Sequence, residues 1–185
     1  MEEIKRYRNG FILLTLISVM GIMCGVYLYQ YTDFFASLRA DAEAVEQFRF
    51  DMTQLLGLLF DEIRIPLLIF LFGFTLFAPY TASVIVGYKG FMTGFSVLYF
   101  GLCYEKGSID KRSFILCAVN LTLILLIYII IGAKSLAFSG SLRYAAPDLV
   151  TMLKQRQTGR YTVTFLLLSV FLFIAVTVKY LIPIF

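Results

Sequence analysis

The sequence predicts an all-α membrane protein, a bundle of five transmembrane helices with one further amphipathic extracytoplasmic helix. Two observations carry this prediction. Hydrophobic residues make up 60% of the 185 positions, charged residues make up 15%, and the mean hydropathy is +0.85, whereas a soluble domain has about 25% charged residues. Apolar runs of about 20 residues also recur, the length that an α-helix needs to cross a hydrocarbon core. We therefore expect a single integral membrane domain over residues 1–185.

Five apolar runs are the candidate spans. The first follows a basic N-terminus, and its length together with the lack of a small-residue cleavage pattern favours a retained helix over a cleaved signal peptide. An odd number of crossings places the two termini on opposite sides of the membrane. The predicted spans cover about residues 11–31, 65–87, 90–104, 113–133 and 161–181.

Residues 65–104 form one nearly continuous apolar stretch that must contain a reversal. The predicted turn is Gly87-Tyr88-Lys89-Gly90, because glycine tolerates a reversal and a lysine side chain can reach a membrane surface. The span that follows this turn is short, so three alternatives stay open: it is tilted little, it thins the bilayer locally, or it is partly re-entrant. Pro79 falls inside the preceding span and should kink it, since proline removes a backbone donor.

The longest polar stretch, Thr32 to Arg64, contains an amphipathic helical pattern. Apolar residues recur at three- and four-residue steps, and acidic residues occupy most of the other positions. Because a helix that binds anionic lipid usually has a basic polar face, this helix should pack on the protein's own spans or on a partner, and both alternatives stay open. The predicted partner surface consists of Phe48, Met52, Leu55 and Leu59.

The distribution of basic residues predicts the orientation in the cell membrane. With a cytoplasmic N-terminus, the inner segments hold nine Lys and Arg residues and the outer segments hold seven. The positive-inside rule therefore favours a cytoplasmic N-terminus and an extracytoplasmic C-terminus. The number of basic residues between Lys134 and Arg160 is ordinary for a cytoplasmic loop, so we expect no nucleic acid as a partner. The apolar spans make membrane lipid the expected partner.

Glycines at four-residue spacing predict close helix packing. In lipid, small residues let two backbones approach each other, and this packing drives helix association. The pattern indicates internal packing of one bundle more strongly than a dimer, so a homo-oligomer is compatible with the sequence but not supported by it. The predicted packing residues are Gly21, Gly25, Gly90, Gly94 and Gly101, and a resemblance described below adds Gly73 to them.

The composition excludes most catalytic chemistry. The chain contains no histidine, which removes Ser/His and Cys/His catalysis, the usual zinc sites and haem ligation. Cys24, Cys103 and Cys117 lie in apolar runs without metal-ligand spacing, and no phosphate-binding loop or intramembrane aspartate pair is present. We expect no catalytic residue, no cofactor and no metal, and hence a protein that is not an enzyme.

The few polar residues near or within spans have two interpretations each. Asp61, Glu62 and Arg64 form either an ion or proton site or an interfacial charge cluster. Asn120 either lines a pathway or makes an interhelical hydrogen bond. No charged residue is expected at the centre of a span, which argues against a proton-coupled transporter or pump.

Two stretches resemble a known family. The first runs from Phe60 to Thr75, and the second is Lys89-Gly-Phe-Met-Thr-Gly-Phe95. Together they resemble the stage II sporulation protein M family, in which an apolar helix with a central glycine is followed by a Gly-Phe-x-x-Gly-Phe motif. The matching positions are Gly73, Gly90, Phe91, Gly94 and Phe95, and the closing segment with Pro183 is also similar.

The resemblance implies a non-enzymatic membrane protein. In endospore-forming bacteria this family is associated with peptidoglycan-degrading partners during engulfment, as their anchor or organiser, and relatives also occur outside spore formers. The first hypothesis is therefore a scaffold for cell-envelope remodelling proteins such as peptidoglycan hydrolases. The alternative is a small membrane transporter or permease subunit, in which Asn120, Tyr80 and the kink at Pro79 would line a path.

Overall fold

The computed structural model describes residues 2–31, 52–107, 109–143 and 150–181, and these residues are entirely helical apart from short turns. The described helices alternate in direction and pack side by side. Because the amphipathic pattern begins before residue 52, its first half, including Phe48, lies outside the described residues. The helices are α1 (Glu2–Tyr31), α2 (Met52–Phe72), α3 (Ala78–Glu105), α4 (Lys111–Arg143) and α5 (Val150–Leu181).

Within the described part of the chain, four segments are long and apolar enough to cross a membrane: Ile4–Gln30, Ala78–Glu105, Lys111–Ser141 and Thr158–Val178. This confirms the prediction of an all-α, multi-pass membrane protein. The remaining helix, α2, has 21 residues and is about 31 Å long at the usual helical rise. It carries Asp61, Glu62 and Arg64 near its middle, so its apolar character alone does not mark it as a span.

The predicted turn at Gly87–Gly90 is wrong, because those residues lie inside α3. The chain instead reverses over residues 73–77, where Thr75 Oγ1 donates to Phe72 O at 2.8 Å and accepts from Phe77 N at 3.2 Å. The spans predicted at 65–87 and 90–104 are therefore replaced by α2 and a continuous α3 of 28 residues. A short or re-entrant third span is wrong for the same reason.

Pro79 occupies the first turn of α3 and does not kink a helix interior. At this position the missing backbone donor has no intrahelical acceptor to lose, and the fixed φ of proline suits a helix start. The predicted kink is therefore wrong, and Pro79 marks the point where the chain leaves the turn.

The core of the bundle centres on α4, whose buried members include Tyr128, Ile131 and Ala133, each no more than 2% exposed. All five helices contribute to this core. The outer faces of α1 and α5 carry large exposed apolar side chains, as expected where lipid is the solvent. The other helices are represented in the core by Leu14, Ile69, Ala82, Val86 and Leu172.

The contacts at one end of the bundle fix the relative direction of the helices. Arg6 Nη1, near the start of α1, donates to Gly140 O near the end of α4 at 3.0 Å. Ser139 Oγ donates to Thr75 O in the 73–77 turn at 2.7 Å, and the Tyr161 ring near the start of α5 stacks on Phe138. We call this end the turn end, and the described part of α5 finishes at the opposite end.

Candidate functional site

An ion pair joins α2 to α3 inside the bundle. Lys89 Nζ lies 2.6 Å from Glu62 Oε2, and the two side chains are only 13% and 19% exposed. Tyr128 of α4 donates its hydroxyl to the same carboxylate oxygen at 2.8 Å, and the Lys89 ammonium lies 4.9 Å from the Tyr128 ring centroid. We call Glu62, Lys89 and Tyr128 the polar triad, and it connects three helices at one point.

The polar triad lies near mid-height of the bundle. Glu62, Lys89 and Tyr128 each fall close to the middle of their helices, and α3 and α4 are candidate spans. The expectation that no charged residue occupies the centre of a span is therefore wrong, and Lys89 does not reach to a surface from a turn. An uncompensated lysine at mid-membrane costs about 2.5–3.5 kcal/mol on insertion scales, and Glu62 supplies the compensating charge.

A cavity of about 370 Å³ adjoins the polar triad between α2, α3 and α4. It extends along α3 from Lys89 to Ser96, about 10 Å at the helical rise, toward the opposite end. Arg64 is exposed and also lines this cavity, so the structure brings two members of the predicted Asp61-Glu62-Arg64 cluster to one site inside the bundle. The lining residues are Glu62, Arg64, Ile65, Tyr88, Lys89, Met92, Thr93, Ser96, Leu121 and Ile124.

Side-chain hydroxyls hold the end of α2. Ser135 Oγ donates to Ile69 O at 3.1 Å, and Tyr161 OH donates to Phe70 O at 3.2 Å. Both carbonyls also accept from the backbone N–H of Gly73, at 3.0 and 3.1 Å. The two hydroxyls therefore add side-chain donors at a helix end, where carbonyls at membrane depth need protein partners. Sequence reasoning missed Ser135 and Tyr161. One signal was available: Ser135 and Ser139 are four residues apart, so they lie on the same face of α4, and this face contacts the end of α2 and the turn that follows it.

Gly73 lies at this helix end. A Cβ added there would overlap the Tyr161 hydroxyl and would lie 2.9 Å from Ser135 Oγ. The glycine that matches the family pattern therefore leaves room for the two hydroxyls that bind the α2 carbonyls.

The predicted packing glycines of α1 and α3 face each other within one chain. A Cβ at Gly21 would overlap the backbone of Gly87, and one at Gly25 would overlap Phe91 O. Gly90 and Gly94 stand equally close to the backbones of Ser18 and Ile22 in α1. Gly101 differs, because a Cβ there meets only a ring atom of Phe114 at an ordinary 3.9 Å. We call the backbone contact between α1 and α3, at Gly21, Gly25, Gly90 and Gly94, the glycine interface.

The residues of the alternative transport path are not brought together. Asn120 is buried and donates to Ala175 O of α5 at 2.8 Å, which is the interhelical hydrogen bond that the sequence left open. Tyr80 is 73% exposed and, like Pro79, lies near the turn end, whereas Asn120 lies in the other half of α4.

The predicted partner surface is only partly described. Met52 and Leu55 belong to α2, but their side chains, like the whole of Phe48, lie outside the described residues. Leu59 is 5% exposed and belongs to the protein's own core. At this residue the apolar stripe is therefore covered by the bundle.

These helices, with apolar outer faces and polar contacts turned inward, define a multi-pass helical membrane protein. The family model for Stage II sporulation protein M matches residues 12–178, so the chain belongs to this family and the resemblance read from its residues is confirmed. The chain is thus a membrane protein of a sporulation-related family. No curated protein and no solved structure matches it.

Proposed function

We propose that the protein is a non-enzymatic scaffold in the cell membrane, which anchors and organises proteins that remodel the peptidoglycan envelope, including engulfment in hosts that sporulate. One observation supports this function best. At three helix contacts inside the bundle, polar side chains bind neighbouring helices of the same chain: Glu62 with Lys89 and Tyr128, Asn120 with Ala175, and Ser135 with Ile69. Such contacts fix a shape rather than present reactive groups.

The proposal is tested by co-purification from the host membrane. The tagged full chain in mild detergent should retain peptidoglycan hydrolases or other envelope proteins at a constant ratio. The double variant Phe48→Glu with Leu55→Glu should lose those partners, because it places two charges on the proposed docking stripe. A matched variant, Ala145→Glu with Ala146→Glu, adds the same charges to the connector between α4 and α5 and should retain them.

Leu55 lies one helical turn from the buried Leu59, so the double variant is first checked for its melting temperature. If it is destabilised before any partner is added, the bundle covers Leu55, and Phe48→Glu alone then carries the docking test. Retention of the partners by the docking variants, or absence of envelope proteins from the parent sample, contradicts the scaffold.

For the topology, we propose that α2 is a fifth crossing and that the turn end faces the cytoplasm. Among the residues that the structure describes, eight Lys and Arg residues fall at or near the turn end of the helices, four fall at or near the opposite end, and two lie within the bundle. The remaining two, Arg39 and Arg49, belong to the sequence between α1 and α2. The positive-inside rule supports a cytoplasmic turn end.

Single cysteines report this topology in a background that lacks Cys24, Cys103 and Cys117. With an impermeant thiol reagent, Ser37→Cys should be labelled in intact cells and Ser141→Cys only after lysis. The reverse pattern would contradict the orientation, and identical patterns at the two positions would contradict five crossings.

A transporter or permease subunit is the second candidate, and one observation supports it. The polar triad places a charged pair beside a cavity at mid-membrane, where ionisable residues often mark transport paths. The scaffold predicts no ion flux and no solute uptake by the purified chain in liposomes. Saturable uptake that disappears in the double variant Glu62→Leu with Lys89→Leu would favour the transporter.

A further inference from the structure

The cavity between α2, α3 and α4 is lined by two basic side chains, Arg64 and Lys89, and by one described carboxylate. Glu62 is the one carboxylate among its described lining residues, and it already accepts from Lys89 at 2.6 Å and from Tyr128 at 2.8 Å. We propose that this cavity binds a phosphate group, carried by a phospholipid headgroup or present as free phosphate. The inference goes beyond scaffolding and does not depend on it.

Arg64 is the central recognition residue in this proposal. Its side chain is exposed toward the cavity region, and no described residue forms an ion pair with its guanidinium. A guanidinium offers five donors in a planar fork that suits two phosphate oxygens at once. Because Lys89 neutralises Glu62, the charge of Arg64 remains as one excess positive charge among the described lining residues.

Further donors line the same space. Ser96 and Tyr88 each contribute a hydroxyl to the lining, and a hydroxyl can donate to a phosphate oxygen. The Lys89 ammonium has three protons, so its bond to Glu62 does not exhaust its donors. Because the described lining carries one excess positive charge, a ligand with a negative charge and several acceptor oxygens is complementary to this set.

The remaining wall of the cavity is apolar, formed by Ile65, Met92, Leu121 and Ile124. Ligand pockets in proteins typically measure about 300–1,000 Å³, and a volume of about 370 Å³ is at the small end of that range. A phosphate with the first carbons of an attached chain would place its oxygens beside Arg64 and its carbons on this apolar wall. The chemistry therefore suits an amphiphile as well as the free ion.

Binding is measured on the purified full chain in a zwitterionic detergent. Phosphatidylglycerol, diacylglycerol as the lipid without a phosphate, and inorganic phosphate are titrated separately, and the bound fraction is followed by native mass spectrometry and by the melting temperature. Arg64→Gln should weaken phosphatidylglycerol binding about tenfold, because a charge-assisted bidentate contact is lost. Arg112→Gln, which removes the same charge at an exposed site outside the cavity, should bind like the parent.

The two sources of phosphate give different results. If phosphatidylglycerol binds and inorganic phosphate neither binds nor competes, the ligand is a lipid headgroup. If inorganic phosphate binds and the loss follows Arg64→Gln, the ligand is free phosphate. Both results uphold the site.

Other results overturn the proposal. They are equal binding of phosphatidylglycerol and of diacylglycerol, which lacks the phosphate, with no response to inorganic phosphate; unchanged phosphatidylglycerol binding in Arg64→Gln; or the same loss in Arg112→Gln, which would indicate bulk charge attraction. If Arg64→Gln does not fold, Ser96→Val and Tyr88→Phe replace it, and unchanged phosphate binding in both then refutes the site. Co-purification of envelope proteins by a variant that has lost phosphate binding would leave the scaffold intact.

Discussion

The two faces of α3 make unlike contacts. Toward α1, the glycine interface brings backbone against backbone, with Gly90 and Gly94 in contact with the main chain of Ser18 and Ile22. Toward α2 and α4, the polar triad separates the backbones and joins them through long charged side chains, and a cavity remains beside it. One helix thus combines a backbone-to-backbone contact at its glycines with a polar contact beside internal space.

This difference shows two ways of holding helices together in a solvent that gives no hydrophobic driving force between them. The glycine interface depends on shape, because close packing is the main attraction available in lipid. The polar triad depends on charge compensation, because either charge alone would be unfavourable at that depth. Variants that act on shape or on charge should therefore have separable effects.

The largest effect is expected from removing one charge of the triad. Glu62→Leu leaves the Lys89 ammonium without a carboxylate and should lower the free energy of unfolding by about 3–5 kcal/mol. Adding Lys89→Leu should restore most of the loss, because no uncompensated charge remains. Denaturant unfolding in micelles measures both. A double variant as unstable as the single variant would show that the two charges do not act as a unit.

The next largest effect is expected at the glycine interface. Gly94→Ala places a methyl group onto the Ile22 backbone and should cost about 2 kcal/mol of unfolding free energy, with Gly94→Leu costing more. Gly101→Ala is the matched control, since its Cβ meets only an ordinary contact at 3.9 Å and the change should stay within about 1 kcal/mol.

Membrane insertion of both alanine variants should match the parent, because an added methyl group is favourable in lipid. Equal melting temperatures for Gly94→Ala and Gly101→Ala would remove the packing role from the glycine interface.

A smaller loss of stability is expected when a single tyrosine hydroxyl is removed, and its size should depend on whether the acceptor of that hydroxyl is charged or neutral. Tyr128→Phe removes a hydrogen bond to the Glu62 carboxylate and should cost about 1 kcal/mol of unfolding free energy. Tyr161→Phe removes a hydrogen bond to the Phe70 carbonyl and should cost less, since bonds to charged groups are stronger. Paired unfolding curves decide the order. A greater loss for Tyr161→Phe would place the stronger polar contact at the turn end.

The smallest effect lies outside both regions, at the start of α4. Hydrogen bonds from the side chain and backbone N–H of Ser113, and from the backbone N–H of Arg112, hold the pKa of Asp110 below its usual range. The folded pKa is below the unfolded one, so the stabilisation is full above the unfolded value and is lost as pH falls through the folded value.

Asp110→Asn keeps a capping side chain but removes the titration. We expect a slightly shallower decline of melting temperature below about pH 4 in this variant. Gly94→Ala should keep the parent's slope, because the glycine interface contains no titratable side chain. An unchanged slope in Asp110→Asn would show that the cap does not contribute to acid sensitivity.

Sequence patterns predicted the features that depend on local composition. The all-helical class, the approximate positions of α1, α4 and α5, and the glycines that meet between α1 and α3 are all written in runs and spacings of a few residues. The break between α2 and α3 also had a local signal, since Gly73, Thr75 and Pro79 mark a helix end and a helix start. The turn was nevertheless predicted at Gly87–Gly90, because a lone lysine in an apolar run usually indicates a position at the membrane surface.

The polar triad had no comparable signal. Its members are 27 residues apart between Glu62 and Lys89 and 66 apart between Glu62 and Tyr128, and no period connects them. Lys89 is tolerated at mid-helix only because the fold brings Glu62 to it. The cavity shares this origin, since it is a space left between three helices and not a property of any one of them.

The polar triad also constrains how the chain enters the membrane during synthesis. Glu62 leaves the ribosome 27 residues before Lys89, so α2 reaches the insertion machinery with an acid whose counter-charge is not yet made. Release of α2 alone into lipid is opposed until Lys89 has arrived. With α2 as the proposed fifth crossing, we expect α2 and α3 to enter the bilayer together, as a helical hairpin joined by the 73–77 turn.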